Sequence, residues 1–370
     1  MRLMEIDRRS FCKAGIASVG VFVSKAVAGR AMAASNSDHP SIFAAARKEA
    51  NGAYSAALFS LQGDVASVPL PGRGHDVAVH PLTKEVVVFA RRPGRFAVCF
   101  SHKKNKAPFS FFAQPQRHFY GHGVFSTDGR LLFTSENDYA KGLGVIGVRD
   151  ATDNYKWIGE FPSHGVGPHD LAFLSDGHSL VVANGGIETH PDMGRTILNL
   201  AEMTPSLVYI DCRTGDLLEK HKPPAALRQL SIRHLTVTAR DRVVFGCQYK
   251  GPKGDRPALM GMHDRGGELR FLQTPADVRR QLNNYIGSVC ADASGEVIAA
   301  SAPRGNLIGF WRANDGMFLG SQPVRDGCGL AKARQKKDFL ITSGHGHVYM
   351  GGKETPFDDM AWDNHAVRVF

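Results

Sequence analysis

Apolar runs recur along the chain at a fixed interval. Three units, GHDVAVHPLTKEVVVFA, GHGVFSTDGRLLFTSEN and PHDLAFLSDGHSLVVAN, each contain a histidine, an alternating apolar strand, a polar turn and a second apolar strand. Their histidines stand at positions 75, 122 and 169, so each unit begins 47 residues after the one before it. Short strands repeated at this interval are typical of the blades of a β-propeller.

Weaker copies of the unit begin at Arg233, Gly287 and Gly329. The segment IFAAARKEANGAYSAALFS, with GDVASVPLPG as its outer strand, forms a seventh unit, and the final WDNHAVRVF can supply a strand that closes the ring. We therefore predict an all-β, seven-bladed propeller over residues 34–370, closed by strands from both chain ends. A β-sandwich also has short strands, but it does not repeat one His-headed unit at a fixed period.

The longest departure from the period lies between Ala183 and Ser206, where NGGIETHPDMGRTILNLAEMTPS interrupts the strands. We expect a polar loop with one helical turn, lying at one face of the disc. Long loops of this kind often carry function.

The first 33 residues have the features of an export signal. Arg8 and Arg9 are followed by SFCK, an apolar stretch and a small-residue AMA site, which together fit a twin-arginine signal peptide cut near Ala33. The apolar stretch is too short and too rich in Gly and Ala for a stable membrane span. The sequence therefore predicts a periplasmic protein exported in folded form, with no membrane span after cleavage.

Charge and composition narrow the function classes only slightly. The net charge of +10 falls to +6 when the six basic and two acidic residues of the leader are removed from the totals of 45 and 35. The basic residues outside the leader are scattered in turns without an aromatic stacking platform, which predicts a solvated surface and no nucleic-acid binding. They include Arg91, Arg92, Lys103, Lys104, Lys106, Lys336 and Lys337.

Five cysteines follow the leader, and no two of them have the Cys-x-x-Cys spacing of a zinc or redox site. We expect buried structural thiols, although an oxidising compartment would permit a disulfide. These cysteines are Cys99, Cys212, Cys247, Cys290 and Cys328.

The repeated histidines are the first candidates for a functional site. The inner strand of each blade lines the central channel of a propeller, so His75, His122, His169 and His234 are predicted to form a ring at one channel mouth. Blade five has Gly287 at this position and blade six Gly327 or Cys328, so the ring is incomplete. Converging imidazoles can bind a transition metal or an anion, or they can hydrogen-bond neighbouring blades and hold them together.

Polar residues after the second strand of several blades form another candidate set, and they need not share a face with the histidines. This set comprises Glu136, Asn137, Asp138, Asn184, Gln248, Arg304, Asn306, His345 and His347. The insert adds Glu188, His190 and Asp192, a carboxylate and imidazole group whose spacing is a weak metal signal that solvated loop polarity also explains.

The sequence contains no nucleophile elbow, no Gly-rich phosphate loop and no haem-attachment motif. Catalysis therefore has no positive support from the residues.

The twin-arginine leader, RGHDVAVHP, FARRPGRFAV, HGVFSTDGRLLFTSEND and above all NGGIETHPDMGRTILNLAEMTPSLVYID resemble the bacterial family called domain of unknown function 1513. The resemblance covers the whole predicted mature chain and implies a propeller related to WD40 and YVTN-type repeats. Members of that family are often encoded beside imelysin-like iron-uptake proteins and di-haem oxidoreductase-like proteins. The resemblance thus implies an accessory role in metal acquisition, with periplasmic iron-uptake proteins as partners.

Two hypotheses follow for the function. The first is a non-catalytic periplasmic propeller that binds a transition metal, a small ligand or an iron-uptake partner through the ring and insert. The second is a metal-dependent propeller enzyme, a hydrolase or an oxidoreductase, that uses the histidines at the channel mouth.

Overall fold

The computed structural model describes residues 40–103, 106–357 and 359–370. The predicted leader and its cleavage site lie outside this part of the chain. The described residues form seven four-stranded antiparallel sheets, which confirms the seven-bladed propeller. None of the described helices is long and apolar enough to cross a membrane.

Six blades each use four consecutive strands, and the first strand of each blade is the innermost. The second blade comprises β4 (Gly74–Val79), β5 (Val86–Ala90), β6 (Phe96–Phe100) and β7 (Phe109–Phe112); the third β8 (Arg117–Phe125), β9 (Leu131–Asp138), β10 (Leu143–Asp150) and β11 (Lys156–Pro162); and the fourth β12 (Pro168–Phe173), β13 (Ser179–Asn184), β14 (Ser206–Asp211) and β15 (Leu217–His221). The fifth comprises β16 (Leu230–Val237), β17 (Val243–Tyr249), β18 (Met260–His263) and β19 (Arg270–Phe271); the sixth β20 (Ser288–Ala291), β21 (Val297–Ala302), β22 (Leu307–Arg312) and β23 (Phe318–Pro323); and the seventh β24 (Gly327–Lys332), β25 (Phe339–Ser343), β26 (His347–Met350) and β27 (Lys353–Pro356).

The first blade joins the two ends of the described chain. Its strands β1 (Phe43–Lys48), β2 (Tyr54–Ser60) and β3 (Gly63–Leu70) are completed by β28 (Ala361–Arg368), which pairs with β1 and takes the innermost place. On β28, Trp362 packs against Phe59 of β2 with ring centroids 4.4 Å apart and ring planes tilted by 32°. The segment WDNHAVRVF, predicted to supply a closing strand, thus forms β28 and leaves the inner edge of β1 paired.

Burial follows the position of each strand within its blade. The second strand VVVFA of β5 is buried at every residue because neighbouring blades pack on both of its faces. The outer strand β11 alternates exposed and half-buried residues, as expected of a strand with one face toward solvent. A single short helix, α1 (Ala276–Gln281), connects blades five and six among the described residues.

The insert between β13 and β14 is a loop containing two 3-10 turns, Pro191–Met193 and Leu200–Glu202. Asn199 fixes the loop, since its side chain accepts a hydrogen bond from the Glu188 amide at 2.8 Å and donates one to the Gly186 carbonyl at 3.0 Å. One helical turn was expected, and two short ones are present.

Candidate functional site

β-bulges bring the histidines to the channel axis. The pairing of β4 with β5 shifts between Gly74 and Val77, and this bulge contains His75. Similar shifts occur beside His122, His169, His234 and, on the closing strand, His365. Because a bulge breaks the two-residue alternation of a strand, it can turn a side chain toward the channel that regular pairing would direct elsewhere.

The bulge in β8 depends on a glycine. Gly121 has a φ of +109°, and a Cβ atom at this position would lie 2.5 Å from Cδ2 of His75. The residue before His122 therefore has to be glycine both for its backbone conformation and for the close approach of the neighbouring ring.

Five buried imidazoles form one compact group, which we call the histidine cluster: His75, His122, His169, His234 and His365. Neighbouring rings have centroids 4.7 to 5.7 Å apart. The predicted ring of four is therefore brought together, and the closing strand adds a fifth member.

His122 lies between two carboxylates. Its Nδ1 is 3.1 Å from Oδ2 of Asp76 and 3.4 Å from Oδ1 of Asp170. Burial by itself would lower the pKa of His122, but these two carboxylates outweigh it and raise the pKa to about 10. In return, His122 holds the pKa of Asp76 at about 2 despite burial.

His75 is held by a third carboxylate. Its Nδ1 is 3.4 Å from Oδ1 of Asp363, whose other oxygen accepts a hydrogen bond from Nε of Arg73 at 2.5 Å. A ring that donates from Nδ1 to a carboxylate leaves Nε2 as a lone-pair nitrogen, the arrangement found around histidine ligands of metals.

His169 has a different partner. Nη1 of Arg233 lies 3.3 Å from its Nδ1, and a guanidinium can only donate. Nδ1 of a neutral His169 therefore accepts, and its proton is on Nε2. Burial, followed by the charge of Arg233, lowers the pKa of His169 well below its usual value. His169 is accordingly less suited to ligate a metal than His75 or His122.

Three buried nitrogens of the cluster have no hydrogen-bond partner among the described residues. They are Nε2 of His122, Nδ1 of His234 and Nε2 of His365. Leaving a buried polar nitrogen without a hydrogen-bond partner lowers stability by about 1–3 kcal/mol. Three such nitrogens in one group therefore indicate that they bind a further partner.

Two overlapping triads have donor atoms that all lie within 4.8 Å of one another: His75, His122 and His365, and His122, His169 and His234. The first triad fits a metal better because carboxylates hold Nδ1 of two of its rings. All-imidazole donor sets suit zinc, copper, nickel and iron rather than magnesium or calcium.

A third group, Glu219, His221 and His263, has the same spacing but satisfied atoms. Glu219 accepts hydrogen bonds from Arg265 and from the Gly266 amide, both at 3.0 Å, and lies 3.1 Å from Nε2 of His221. Both ring nitrogens of His263 also have partners, the hydroxyl of Tyr209 and the carbonyl of Gly267. These hydrogen bonds are sufficient to hold the three side chains in place without a metal.

A cavity of about 290 Å³ adjoins the histidine cluster, and three of the five imidazoles, His75, His169 and His234, form part of its wall. Six basic side chains also line it, so we call it the cationic cavity. They are Arg91, Arg92, Arg195, Arg233, Lys250 and Arg304.

The cationic cavity shows that two sequence expectations were incomplete. Arg91 and Arg92 were assigned to a solvated basic surface, but they line the cavity. Gln248 and Arg304, which follow second strands, share a face with the histidines. In an antiparallel pair, the end of the second strand lies beside the start of the first, as Ala90 lies beside Gly74.

The family described as "Protein of unknown function (DUF1513)" matches residues 68–369. The chain belongs to this family. The matched range contains all five histidines of the cluster, their three carboxylates and all six basic residues of the cavity, so the site lies within the part of the chain that defines family membership.

Solved structures show the same fold in distant proteins. A chain of the Kuenenia stuttgartiensis hydrazine synthase is similar with a TM-score of 0.62 at 13% identity, over 90% of this family member and 100% of that chain. A chain of a mitotic checkpoint complex is similar with a TM-score of 0.58 at 11% identity, over 94% and 92% of the two chains. At these identities the likeness concerns the fold alone. No curated protein matches the sequence.

The insert residues predicted from sequence do not join the histidine cluster. Asn184 is fully buried, and its amide donates to the Ser163 carbonyl at 3.0 Å, which is a structural contact. His190 accepts from the Asp192 amide at 3.3 Å as the cap of a 3-10 turn. Glu188 makes its described hydrogen bonds through its backbone. The insert instead contributes Arg195, with Ile187 and Ile197, to the cationic cavity.

Sequence reasoning missed His365 and the three carboxylates. A signal for His365 was present, since NHAVRV on the closing strand matches the HDVAV of the repeat. Asp76 and Asp170 directly follow repeat histidines, and this His-Asp pairing was also readable. Among the described cysteines, Cys99, Cys247 and Cys328 are buried and all five are free, as expected of structural thiols.

Proposed function

We propose that this propeller is a metal-binding protein that holds one divalent transition-metal ion at the histidine cluster. The observation that carries the proposal is the set of three unpartnered buried nitrogens on His122, His234 and His365. His75, His122 and His365 would supply the ligands, and His234 lies beside them as a fourth donor. A metal bound there would supply a Lewis-acidic or redox-active centre.

The charges around the cluster support a cation. Asp76, Asp170 and Asp363 bring three carboxylates to the imidazoles, and Arg73 offsets the charge of one of them. Without a metal, the extra proton of His122 offsets a second, and a bound metal ion would displace that proton. A dication placed among the rings would neutralise the remaining two. Such carboxylates also orient histidine ligands and increase their basicity.

Elemental analysis of the purified protein tests the proposal. Wild type is expected to contain close to one equivalent of zinc, copper, nickel or iron per chain, and His122→Gln and His365→Gln are expected to lose it. His263→Gln is the matched control, because His263 is equally buried but belongs to the satisfied group of Glu219. Metal that persists in both cluster variants would refute the proposed site.

We further propose that the protein works in the periplasm, with imelysin-like iron-uptake proteins as partners. This rests on the twin-arginine leader and on the resemblance to the family. Fractionation of cells for the processed protein tests the location, and iron uptake after gene deletion tests the role. Unchanged uptake under iron limitation would count against the partnership.

A metal-dependent enzyme is the second candidate, favoured by one observation. The cationic cavity reaches His75, His169 and His234, so a molecule bound in it would lie against the cluster. Turnover of phosphate esters or carboxylic acids by metal-loaded wild type, absent in His365→Gln, would support an enzyme. Equal turnover by the two proteins would count against it.

A further inference from the structure

The ionisable residues in the wall of the cationic cavity include basic groups and no acidic one. Six of its lining residues are arginine or lysine, and none is aspartate or glutamate. Charged residues in protein interiors are normally paired, because an isolated buried charge is costly. A shared wall of six unbalanced basic groups therefore requires an explanation beyond folding.

The contacts of these groups do not balance their charge. Arg304 stacks on Tyr285, with its guanidinium carbon 4.3 Å from the ring centroid, and Lys250 donates to the neutral side chain of Gln248 at 2.9 Å. Arg233 contacts His169, while its Nε is buried without a hydrogen-bond partner among the described residues. The side chains of Arg91, Arg92 and Arg195 form no ion pair within the described ranges.

The effect of this crowding is visible at Lys250. Burial, with the charges of Arg233, Arg304, Arg92 and Arg195, lowers the pKa of Lys250 to about 6. The arginines thus add to the effect of burial in opposing protonation of Lys250. An anion placed in the cavity would gain from the arginine charges and would accept a hydrogen bond from the Lys250 amine.

The size of the cavity limits the anion to a small molecule. A volume of about 290 Å³ lies at the lower end of the range for small-molecule sites. The guanidinium groups come from separate blades and from the insert, so they surround the space instead of forming a flat patch. This arrangement suits a molecule with charged groups at more than one end.

We infer that the cationic cavity binds a small molecule carrying at least two carboxylate or phosphate groups. This inference goes beyond the proposed metal site and does not depend on it. A polyanion seated here would have one end against His75, His169 and His234, and its other charged groups would pair with arginines of the surrounding blades.

Isothermal titration calorimetry on metal-free protein, dialysed free of chelator, tests the inference. Tricarballylate serves as the carboxylate probe and pyrophosphate as the phosphate probe, while acetate and the triethyl ester of tricarballylate are the controls for charge. We expect one of the two polyanions to bind to a single site, with binding weakened by added salt, and the controls not to bind. The polyanion that binds identifies the chemistry, and failure of both at millimolar concentration would overturn the inference.

Charge-matched variants separate the cavity from the general charge of the protein. Arg92→Gln and Arg195→Gln are each expected to weaken polyanion binding about tenfold or more, the effect of losing one charge-assisted hydrogen bond. Arg240→Gln removes the same charge from the exposed turn between β16 and β17, at the opposite end of the blade, and should bind like wild type. Equal weakening in Arg240→Gln would overturn the assignment to the cavity.

Thermal unfolding distinguishes a ligand-binding role of Arg92 from a purely structural one. Arg92→Gln should raise the Tm of the ligand-free protein, since it relieves repulsion, and it should reduce the rise in Tm that the polyanion causes in wild type. A lowered ligand-free Tm would contradict the argument from unbalanced charge. His365→Gln should retain polyanion binding, which keeps failure of the metal site distinguishable from failure of the cavity.

Discussion

The carboxylates behind His122 offer a sharp test of how the histidine cluster works. Asp76 and Asp170 lie 3.1 and 3.4 Å from Nδ1 of the same ring. Asp76 is the cleaner target, because Asp170 also accepts a hydrogen bond from the Leu235 amide and so helps to hold neighbouring blades together. Asp76→Asn keeps the size of the side chain and removes its charge.

The expected loss can be worked from these contacts. Removing a carboxylate that orients a histidine ligand typically costs 10- to 100-fold in metal affinity, or about 1.4–2.7 kcal/mol. Since Asp170 still contacts the same nitrogen in Asp76→Asn, we expect metal affinity to fall about tenfold, near the lower end of this range. Asp76→Asn/Asp170→Asn should approach the upper end, about 100-fold.

Competition against a chromophoric chelator measures the affinity of each variant for Zn²⁺. Asp128→Asn is the control, because Asp128 is an exposed turn residue whose loss changes the net charge equally. Circular dichroism confirms that the variants are folded. Affinities within twofold of wild type for both the single and the double variant would refute the view that these carboxylates support a metal ligand.

Three further predictions concern stability. Trp362→Ala should cost about 3–5 kcal/mol in urea unfolding, because the ring is buried on the closing strand and packs against Phe59 with ring centroids 4.4 Å apart. The folded pKa of Lys250, about 6, lies below its ordinary value of 10.5, so the unfolded state binds more protons between these two pH values and Lys250 makes stability rise with pH across that window. Lys250→Met should remove up to about 1.4 kcal/mol per pH unit from that slope. Arg149→Met should cost about 3–5 kcal/mol, because Glu136 would lose the buried partner 3.4 Å away, and Glu136→Gln should recover part of the loss in the double variant.

Each of these has an outcome that contradicts it. A cost below about 1 kcal/mol for Trp362→Ala would mean that the closing strand is held by its backbone pairing alone. Identical pH slopes for wild type and Lys250→Met would show that Lys250 is not held neutral in the folded state. No recovery in the double variant would show that Glu136 and Arg149 are not energetically coupled.

The fold was readable from the sequence because each blade repeats one local pattern, a histidine-headed strand, a turn and a second strand. Of the site, the sequence predicted four of the histidines but not the orientation of their rings or their carboxylate partners. His75, His122 and His169 share a period, but the direction of each ring depends on a bulge that the alternation of residues does not reveal. Asp363 meets His75 and Arg73 only when the two ends of the chain close the ring, in contacts between residues 288 and 290 positions apart.

The cationic cavity was missed for a related reason. Arg91, Lys250 and Arg304 each follow a different second strand, and as single residues in turns they resemble solvated charges. Only the circular arrangement of the blades brings them to one mouth, where Arg195 of the insert joins them. The sequence repeat therefore predicts the propeller well, but it does not predict which side chains of different blades meet at the central channel.

X-ray absorption spectroscopy at the metal edge shows whether imidazoles of the histidine cluster bind a metal. After the protein is loaded with one equivalent of Zn²⁺, we expect three or more imidazole nitrogens at about 2.0–2.1 Å from the metal, and loss of this signature in His365→Gln. A shell of oxygen ligands only, or an imidazole shell unchanged in His365→Gln, would contradict this expectation.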